Sequence, residues 1–385
     1  MPKPLTILHL VSLMGMGGRC ATALRQIRLL SARGHKIVLG CLKNSAAAEK
    51  CRAMGVSVCD DFRFRRGFRP LDFRHDCALL KKLCREHKVD IIHAHLSQES
   101  WVACLGSKLC SPRPVVIRSR GVVVPIKPHA FNRWQHNSLT AMVVAPSNVI
   151  YEKLRALPGF DANRVTLIED GVDTERFSPL TDGSATRSEF KIPDGVPLIV
   201  MVARLERVKG HEIFFKALAK LAAGTPTVAF RALCACDERT PGEFDKTVRR
   251  ARELGCGETM LAFTGMRGDV EKIIAAADII ALPSLGSEGS SRVALEAGAS
   301  AKPVVASSVG CLPEVILDGK TGLIVPSADP DALAAALSSL AKDPHRAKAL
   351  GAAARTRVVE LYDEKRMVER LEKIYADSLS APVRS

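Results

Sequence analysis

Short apolar runs of strand length recur along the chain, and most are separated by longer stretches whose apolar residues return at helical spacing. That alternation predicts βα repeats and parallel sheets. The first run covers 5–11; a turn with Gly15, Gly17 and Gly18 separates it from a helical segment over about 21–32, with Leu24, Ile27 and Leu30 on one face and Gly34 closing it. Segments 37–39, 56–58, 90–93, 115–117 and 141–145 continue the series as strands. A turn-rich stretch, 169–179, marks a boundary. Beyond it, 198–203, 227–231, 260–263, 278–282, 303–306 and 322–325 read as a second set of strands, and 329–378 as helix. The pattern predicts an α/β chain with two doubly wound Rossmann-like domains, 1–178 and 179–361. A C-terminal helical segment, 362–385, is expected to pack back on the first. The strand carboxyl ends of such domains are the usual ligand crevice, so a central cleft faced by both is expected to take a nucleotide-type ligand.

Composition narrows the classes. With 385 residues, 47% hydrophobic and 25% charged, the chain has material for two cores, which excludes wholesale disorder and a disulfide miniprotein. No stretch reaches the roughly 18–20 consecutive apolar residues of a membrane span, and residues 1–7 enter a strand without a signal-like apolar region, so a cytoplasmic protein is expected. Twelve Cys without zinc spacing read as reduced thiols, and Cys234 and Cys236, one residue apart, suit neither metal nor redox work. The net charge of +15 is unevenly spread: residues 1–178 hold 28 Lys or Arg against 14 Asp or Glu, and residues 179–385 hold 28 against 27. A nucleic acid, an anionic membrane surface or an acidic substrate would each suit the basic half, although no nucleic-acid recognition motif is present and stacking aromatics are scarce. The loop 62–70 alternates Phe62, Phe64 and Phe68 with Arg63, Arg65, Arg66 and Arg69; it reads either as a lipid-docking loop or as a solvated one whose Phe residues pack underneath.

Candidate chemistry gathers in a few segments. Glu288 and Glu296 bracket an apparent helix start; eight helical residues would span about 12 Å, too far for one shared proton-transfer task, so the two would touch different parts of one ligand. A Glu on the second turn can accept from vicinal hydroxyls, while Ser290 and Ser291 suit an anion; a dipole-favouring charge beside a solvated Glu is the plainer alternative. Arg204 and Lys209 follow a strand and precede a helix, which fits a diphosphate clamp or simply two loop cations. Gly15, Gly17 and Gly18 form an incomplete dinucleotide turn. His93 and His95 share one strand face, as a polar pair at the ligand edge or as packed histidines.

Taken together, these segments resemble the retaining nucleotide-sugar enzymes of glycosyltransferase family 4, with the GT-B fold. The strongest likeness runs from Asp278 to Asp329 and includes the Glu288 and Glu296 pair, Pro313-Glu314-Val315 and Asp318-Gly319; Arg204 with Lys209 and the pair His93 and His95 match as well. The resemblance implies that Arg204 and Lys209 hold a donor diphosphate, Glu296 the ribose and Glu288 the donor sugar, those three cations and carboxylates Arg204, Lys209 and Glu288 being the catalytic set. Gly289, Ser290, Ser291 and Arg267 would complete the donor site, with Gly17 and Gly18 near the diphosphate. Where many relatives carry a His, this chain has Arg118-Ser119-Arg120; with His95 these imply an anionic acceptor, as in lipopolysaccharide-type transferases. The partners implied are a nucleotide-diphosphate sugar and an anionic glycolipid or saccharide, with peripheral contact at the inner face of the cytoplasmic membrane and no nucleic acid. The departing diphosphate is expected to take the acceptor proton, with no metal or other cofactor. An epimerase or hydrolase on the same fold is the alternative.

Overall fold

The computed structural model describes residues 3–15, 17–65, 67, 69–121, 126–224, 229–237, 241–286 and 288–380. The chain divides into two units, Met1–Asp170 with Lys365–Ser385, and Gly171–Glu364. The divisions fall at 170/171 and 364/365, where turn composition places them at 178/179 and 361/362.

In the first unit the strands are β1 Thr6–Val11, β2 Lys36–Leu42, β3 Ser57–Phe62, β4 Ile91–Ala94, β5 Val115–Ser119, β6 Met142–Ala145 and β7 Val165–Leu167. They form one parallel sheet in the order β3-β2-β1-β4-β5-β6-β7, so the direction of winding reverses between β1 and β4. In the second unit β8 Leu198–Arg204, β9 Arg231–Asp237, β10 Leu261–Phe263, β11 Ile279–Leu282, β12 Val304–Ser307 and β13 Leu323–Val325 make a parallel sheet in the order β10-β9-β8-β11-β12-β13, reversing between β8 and β11. Both are doubly wound α/β sheets, and strands covered on both faces read as continuous apolar runs.

β9 departs from the sequence reading. The strand expected at 227–231 instead begins at Arg231, and residues 227 and 228 lie outside the described residues. Its apolar character comes from Ala and Cys: Ala232, Cys234 and Cys236 enter one core cluster, Leu233 and Ala235 the opposite one. The closely spaced thiols are strand residues behaving as small hydrophobes. β7 was not anticipated from the sequence.

The helix Glu364–Ser380 joins the first unit through Met367, Val368, Leu371 and Tyr375, all in the cluster around Ile7, Ile91 and Ile117. Glu372 accepts from Arg33 Nε at 2.7 Å and meets His35 Nε2 at 3.0 Å, and these contacts hold its carboxyl below the usual range against an opposing desolvation. No described helix is long and apolar enough to cross a membrane.

The described residues of the loop after β3 bear on one alternative. Phe62 and Phe64 are buried, with ring centroids 4.8 Å apart. The buried Asp76 carboxylate accepts from the Arg63 and Phe64 amides at 2.9 Å each, and Arg63 pairs with Asp72 at 2.7 Å. These two aromatics therefore pack beneath the chain and do not reach lipid; Arg66 and Phe68 lie outside the described residues.

Gly210 sets the geometry of the loop after β8. It has φ of +76°, and a Cβ there would stand 1.9 Å from the Pro283 carbonyl oxygen. The loop after β11 packs directly on it, Leu285 N donating to Val208 O at 2.8 Å. Gly210→Ala adds strain and a backbone clash together, so chemical denaturation should show a loss of about 3 kcal/mol. Parental stability in that variant would contradict this contact.

Candidate functional site

In the second unit, β8 and β11 carry their neighbouring exit loops to the point where the sheet reverses direction, the usual ligand position in such sheets. β8 ends at Arg204; a single turn, Arg207–Lys209, and Gly210 lead into the helix His211–Gly224. The exit from β11 supplies Ser284 and Glu288 before the helix Arg292–Ala299.

Lys209 Nζ lies 2.7 Å from Glu288 Oε1, and the Ser284 hydroxyl donates to the same oxygen at 2.5 Å. The Glu288 backbone is fixed as well, its carbonyl accepting from Cys311 N at 2.9 Å. Gly310, with φ of +57°, is the only residue type that fits there, since a Cβ would stand 2.1 Å from that carbonyl oxygen. Glu288 is buried, so this cation and hydroxyl meet a charge that would otherwise be costly.

The helix starts at Arg292, which places Glu288 in the loop before it; the helical rise used to space Glu288 from Glu296 does not apply. Glu296, also buried, lies on the second turn and accepts from Arg292 Nη2 at 2.8 Å. Gly289, Ser290 and Ser291 form the link between the two carboxylates, and Ser291 O receives Leu295 N at 3.1 Å. Arg204 Nη1 approaches Glu206 Oε1 to 2.8 Å without hydrogen-bond alignment, which leaves this buried nitrogen with an ion pair alone. Arg267 stands apart. Its guanidinium is taken up by Glu189, at 2.7 and 3.1 Å, and by Asp269, at 2.8 and 2.9 Å, so only its main chain is left to offer a ligand.

Two residues here escaped sequence reasoning. Ser284 was visible only as part of a turn, and its bond to Glu288 gives it a role. His211 opens the helix after Lys209 and Gly210; burial, reinforced by Lys209, lowers it to about 4, and its Nε2 has no partner. It is a neutral imidazole that feels the charge of Lys209.

In the first unit, the two faces of the sheet carry different chemistry at their carboxyl edge. Gly17 precedes the helix Gly18–Ala32, and a methyl on Gly18 would touch nothing within 4 Å, so the turn leaves room for a ligand. On one face His9, His93 and Ser119 point together. His9 Nδ1 meets His95 Nε2 at 2.9 Å, and His93 meets the Tyr375 hydroxyl at 2.7 Å and Ser119 Oγ at 2.8 Å. All three imidazoles are buried and kept neutral; desolvation takes His95 down to about 3. Their ligand-capable atoms lie within 4.8 Å of one another, but both nitrogens of His93 are already engaged, and His9 and His95 are bonded to each other. The cluster is a hydrogen-bonded support. His95, expected at the acceptor, is 4% exposed and lies beneath that edge.

On the other face lie Arg118 and, on the helix Ser97–Ser107, Glu99. Arg118 is 8% exposed, whereas Arg120, half-buried, reaches Ser97 Oγ at 3.4 Å. Burial, then the charges of Arg118 and Arg19, lower Arg120 to about 10. Three guanidiniums thus gather at the ends of β5 and the first glycine turn. Glu99 was missed, having no local motif; burial pushes it up to about 7.

Comparisons with known proteins bear on the family and the fold. The family described as "Glycosyltransferase Family 4" matches residues 16–176, and that described as "Glycosyl transferases group 1" matches residues 196–343. A GDP-mannose-dependent alpha-(1-6)-phosphatidylinositol monomannoside mannosyltransferase of Mycolicibacterium smegmatis is 29% identical over 78% of this chain and 82% of its own. A D-inositol 3-phosphate glycosyltransferase of Corynebacterium aurimucosum is 33% identical over 61% of this chain, which spans only 57% of that relative. Among solved structures, a glycosyltransferase from Rickettsia africae superposes with a TM-score of 0.89 at 23% identity over 98% of this chain and 99% of that one. HepE of Anabaena, in complex with UDP and glucose, gives 0.81 at 20% identity over 97% and 100%. With each unit matched by its own family and the fold shared along nearly its whole length, the chain belongs to the family 4 glycosyltransferases and is an enzyme of the GT-B fold.

Proposed function

We propose that the protein moves a sugar from a nucleotide-diphosphate sugar to a hydroxyl of an anionic acceptor, with retention at the anomeric carbon. The observation that carries the reading is the Lys209, Glu288 and Ser284 constellation beside Arg204 at the reversal of the second sheet. Lys209 and Arg204 supply fixed positive charge for a diphosphate that becomes more negative as the sugar leaves, and the charge is met by the chain's own cations rather than by a metal. Glu288, held by Lys209, faces the donor sugar, and Glu296 accepts from the ribose hydroxyls, with Gly289, Ser290 and Ser291 between them. Gly18 leaves space for a ligand at the first glycine turn. The departing phosphate oxygen takes the acceptor proton.

The acceptor side rests on Arg19, Arg118 and Arg120. Burial first, and then the charges of Arg118 and Arg19, lower Arg120, and an anion held between the three guanidiniums would offset both. The relatives named for inositol 3-phosphate and for phosphatidylinositol mannoside support a phosphorylated polyol or phosphoglycolipid as the acceptor class. A lipopolysaccharide core is one anionic acceptor of this kind and is not singled out. Peripheral contact with an anionic membrane on its cytoplasmic side would then rest on the basic first half, not on Phe62 and Phe64.

Lys209→Ala or Arg204→Ala should lower kcat/KM for the donor by roughly 100-fold with the fold retained, as loss of one transition-state donor does; parental transfer rates in both would remove the clamp. Glu296→Gln should weaken nucleotide binding by about 1–3 kcal/mol, because an amide cannot accept from both hydroxyls. Calorimetric affinities equal to those of the parent would deny the ribose contact. On the other unit, Arg120→Ser should raise the acceptor KM about tenfold and leave nucleotide affinity alone; steady-state kinetics with each substrate varied in turn separates the two.

A further inference from the structure

At the carboxyl edge of the first sheet, two buried side chains of opposite charge lack the partners that burial normally demands. Glu99 sits on the first turn of the helix Ser97–Ser107 and is 0% exposed. Neither of its carboxyl oxygens has an aligned donor. The Ser12 hydroxyl donates to Gln98 Oε1 at 3.0 Å; Ser12 and nearby amides lie close enough to favour an ionised Glu99, yet none aligns as a hydrogen bond. Arg118 reaches the same layer from β5, opposite Ala94 in the register, and its Nε is buried without a partner. It feels the charge of Glu99, but no hydrogen bond joins them.

Two groups that attract each other without pairing leave Arg118 able to hold something else. We propose that Glu99 is an internal counter-charge that sets how strongly Arg118 and Arg120 hold the anionic group of the acceptor, weakening the hold when ionised and strengthening it when protonated. This rests on the reading of the arginine cluster as the anion site, and it makes Glu99 a positioning residue that acts through Arg118.

The other groups facing this pair do not change charge near neutrality. Cys104, further along the same helix, is raised by burial, and His136, from the turn Gln135–Leu139, is lowered by it, so both stay neutral. His95 titrates at about 3, and Arg120 at about 10. Arg19 and Arg113 are the remaining cations whose charge is felt here, by Arg120 and by Cys104. Glu99, at about 7, is the group that changes. The sign follows: below this value Glu99 is neutral and the cluster shows its full positive charge, whereas above it a negative charge offsets one guanidinium. Affinity for an anion of fixed charge therefore falls as pH rises from 6 to 8.

Inorganic sulfate, which keeps its charge over this range, serves as the probe. Calorimetric titrations use the full chain carrying Arg204→Ala, so that the donor clamp does not compete, at pH 6, 7 and 8. The sulfate dissociation constant is expected to rise roughly fivefold from pH 6 to 8, the scale of one partly screened charge. Adding Glu99→Gln should hold it at the low-pH value throughout, and Glu99→Asp should restore a pH slope. Arg120→Ser should weaken binding at every pH, which locates the sulfate. Sulfate binding that depends on Arg120 but keeps the parental slope in Glu99→Gln overturns the role of Glu99 alone. Sulfate that fails to bind, or binds regardless of Arg120, overturns the anion site and this inference with it.

Discussion

The ion pair between Lys209 and Glu288 is the contact on which the proposed donor site depends. A buried carboxylate needs a cation and a donor, and here both arrive from loops that the sheet topology brings side by side: Lys209 after β8, Ser284 after β11. Removing either partner would leave charge stranded in a low-dielectric setting, a larger loss than the pair itself is worth. Gly210 and Gly310 are the backbone conditions for it, each passing under a carbonyl oxygen with no room for a Cβ. Once the two loops are locked, Arg204, the helix beginning at His211 and the helix carrying Glu296 have fixed places, and preorganised charge of this kind is what stabilises a developing diphosphate.

The first unit divides its labour between the two faces of one sheet. Alternate residues of β1, β4 and β5 send His9, His93 and Ser119 to one side and Arg118 to the other. The histidine side is closed by Tyr375 from the C-terminal helix, whose phenol bonds His93 and whose apolar neighbours complete the core. That side supports; the arginine side carries the charge. Desolvation keeps the histidines neutral, so the positive field at this edge comes from guanidiniums.

How much of this could be read from the chain alone follows from how local each feature is. Parallel strands covered on both faces announce themselves as apolar runs, so both sheets were legible. β9 was misplaced because Ala and Cys make its core-facing positions and look like a thiol pair. Arg204, Lys209, Glu288 and Glu296 are singled out through motif likeness, since spacing alone allows plainer readings. What pairing does with them was not legible: Ser284 was hidden in a turn, and the Arg267 guanidinium is spent on Glu189, 78 residues away. His9 and Tyr375 lie 86 and 282 residues from their histidine partners, beyond any local pattern. The Phe and Arg alternation after β3 fits two opposite outcomes, and Asp76, on the next helix, holds Phe62 and Phe64 to the packed one by binding the Arg63 and Phe64 amides.

The central claim is that the paired loops after β8 and β11 are the donor site. Hydrogen-exchange mass spectrometry of the full chain with a panel of UDP- and GDP-sugars tests it most directly. A donor that binds should slow exchange in peptides covering 204–211 and 284–296, with protection lost in Lys209→Ala. Binding accompanied by protection elsewhere, with these two segments exchanging as in the free protein, would contradict it.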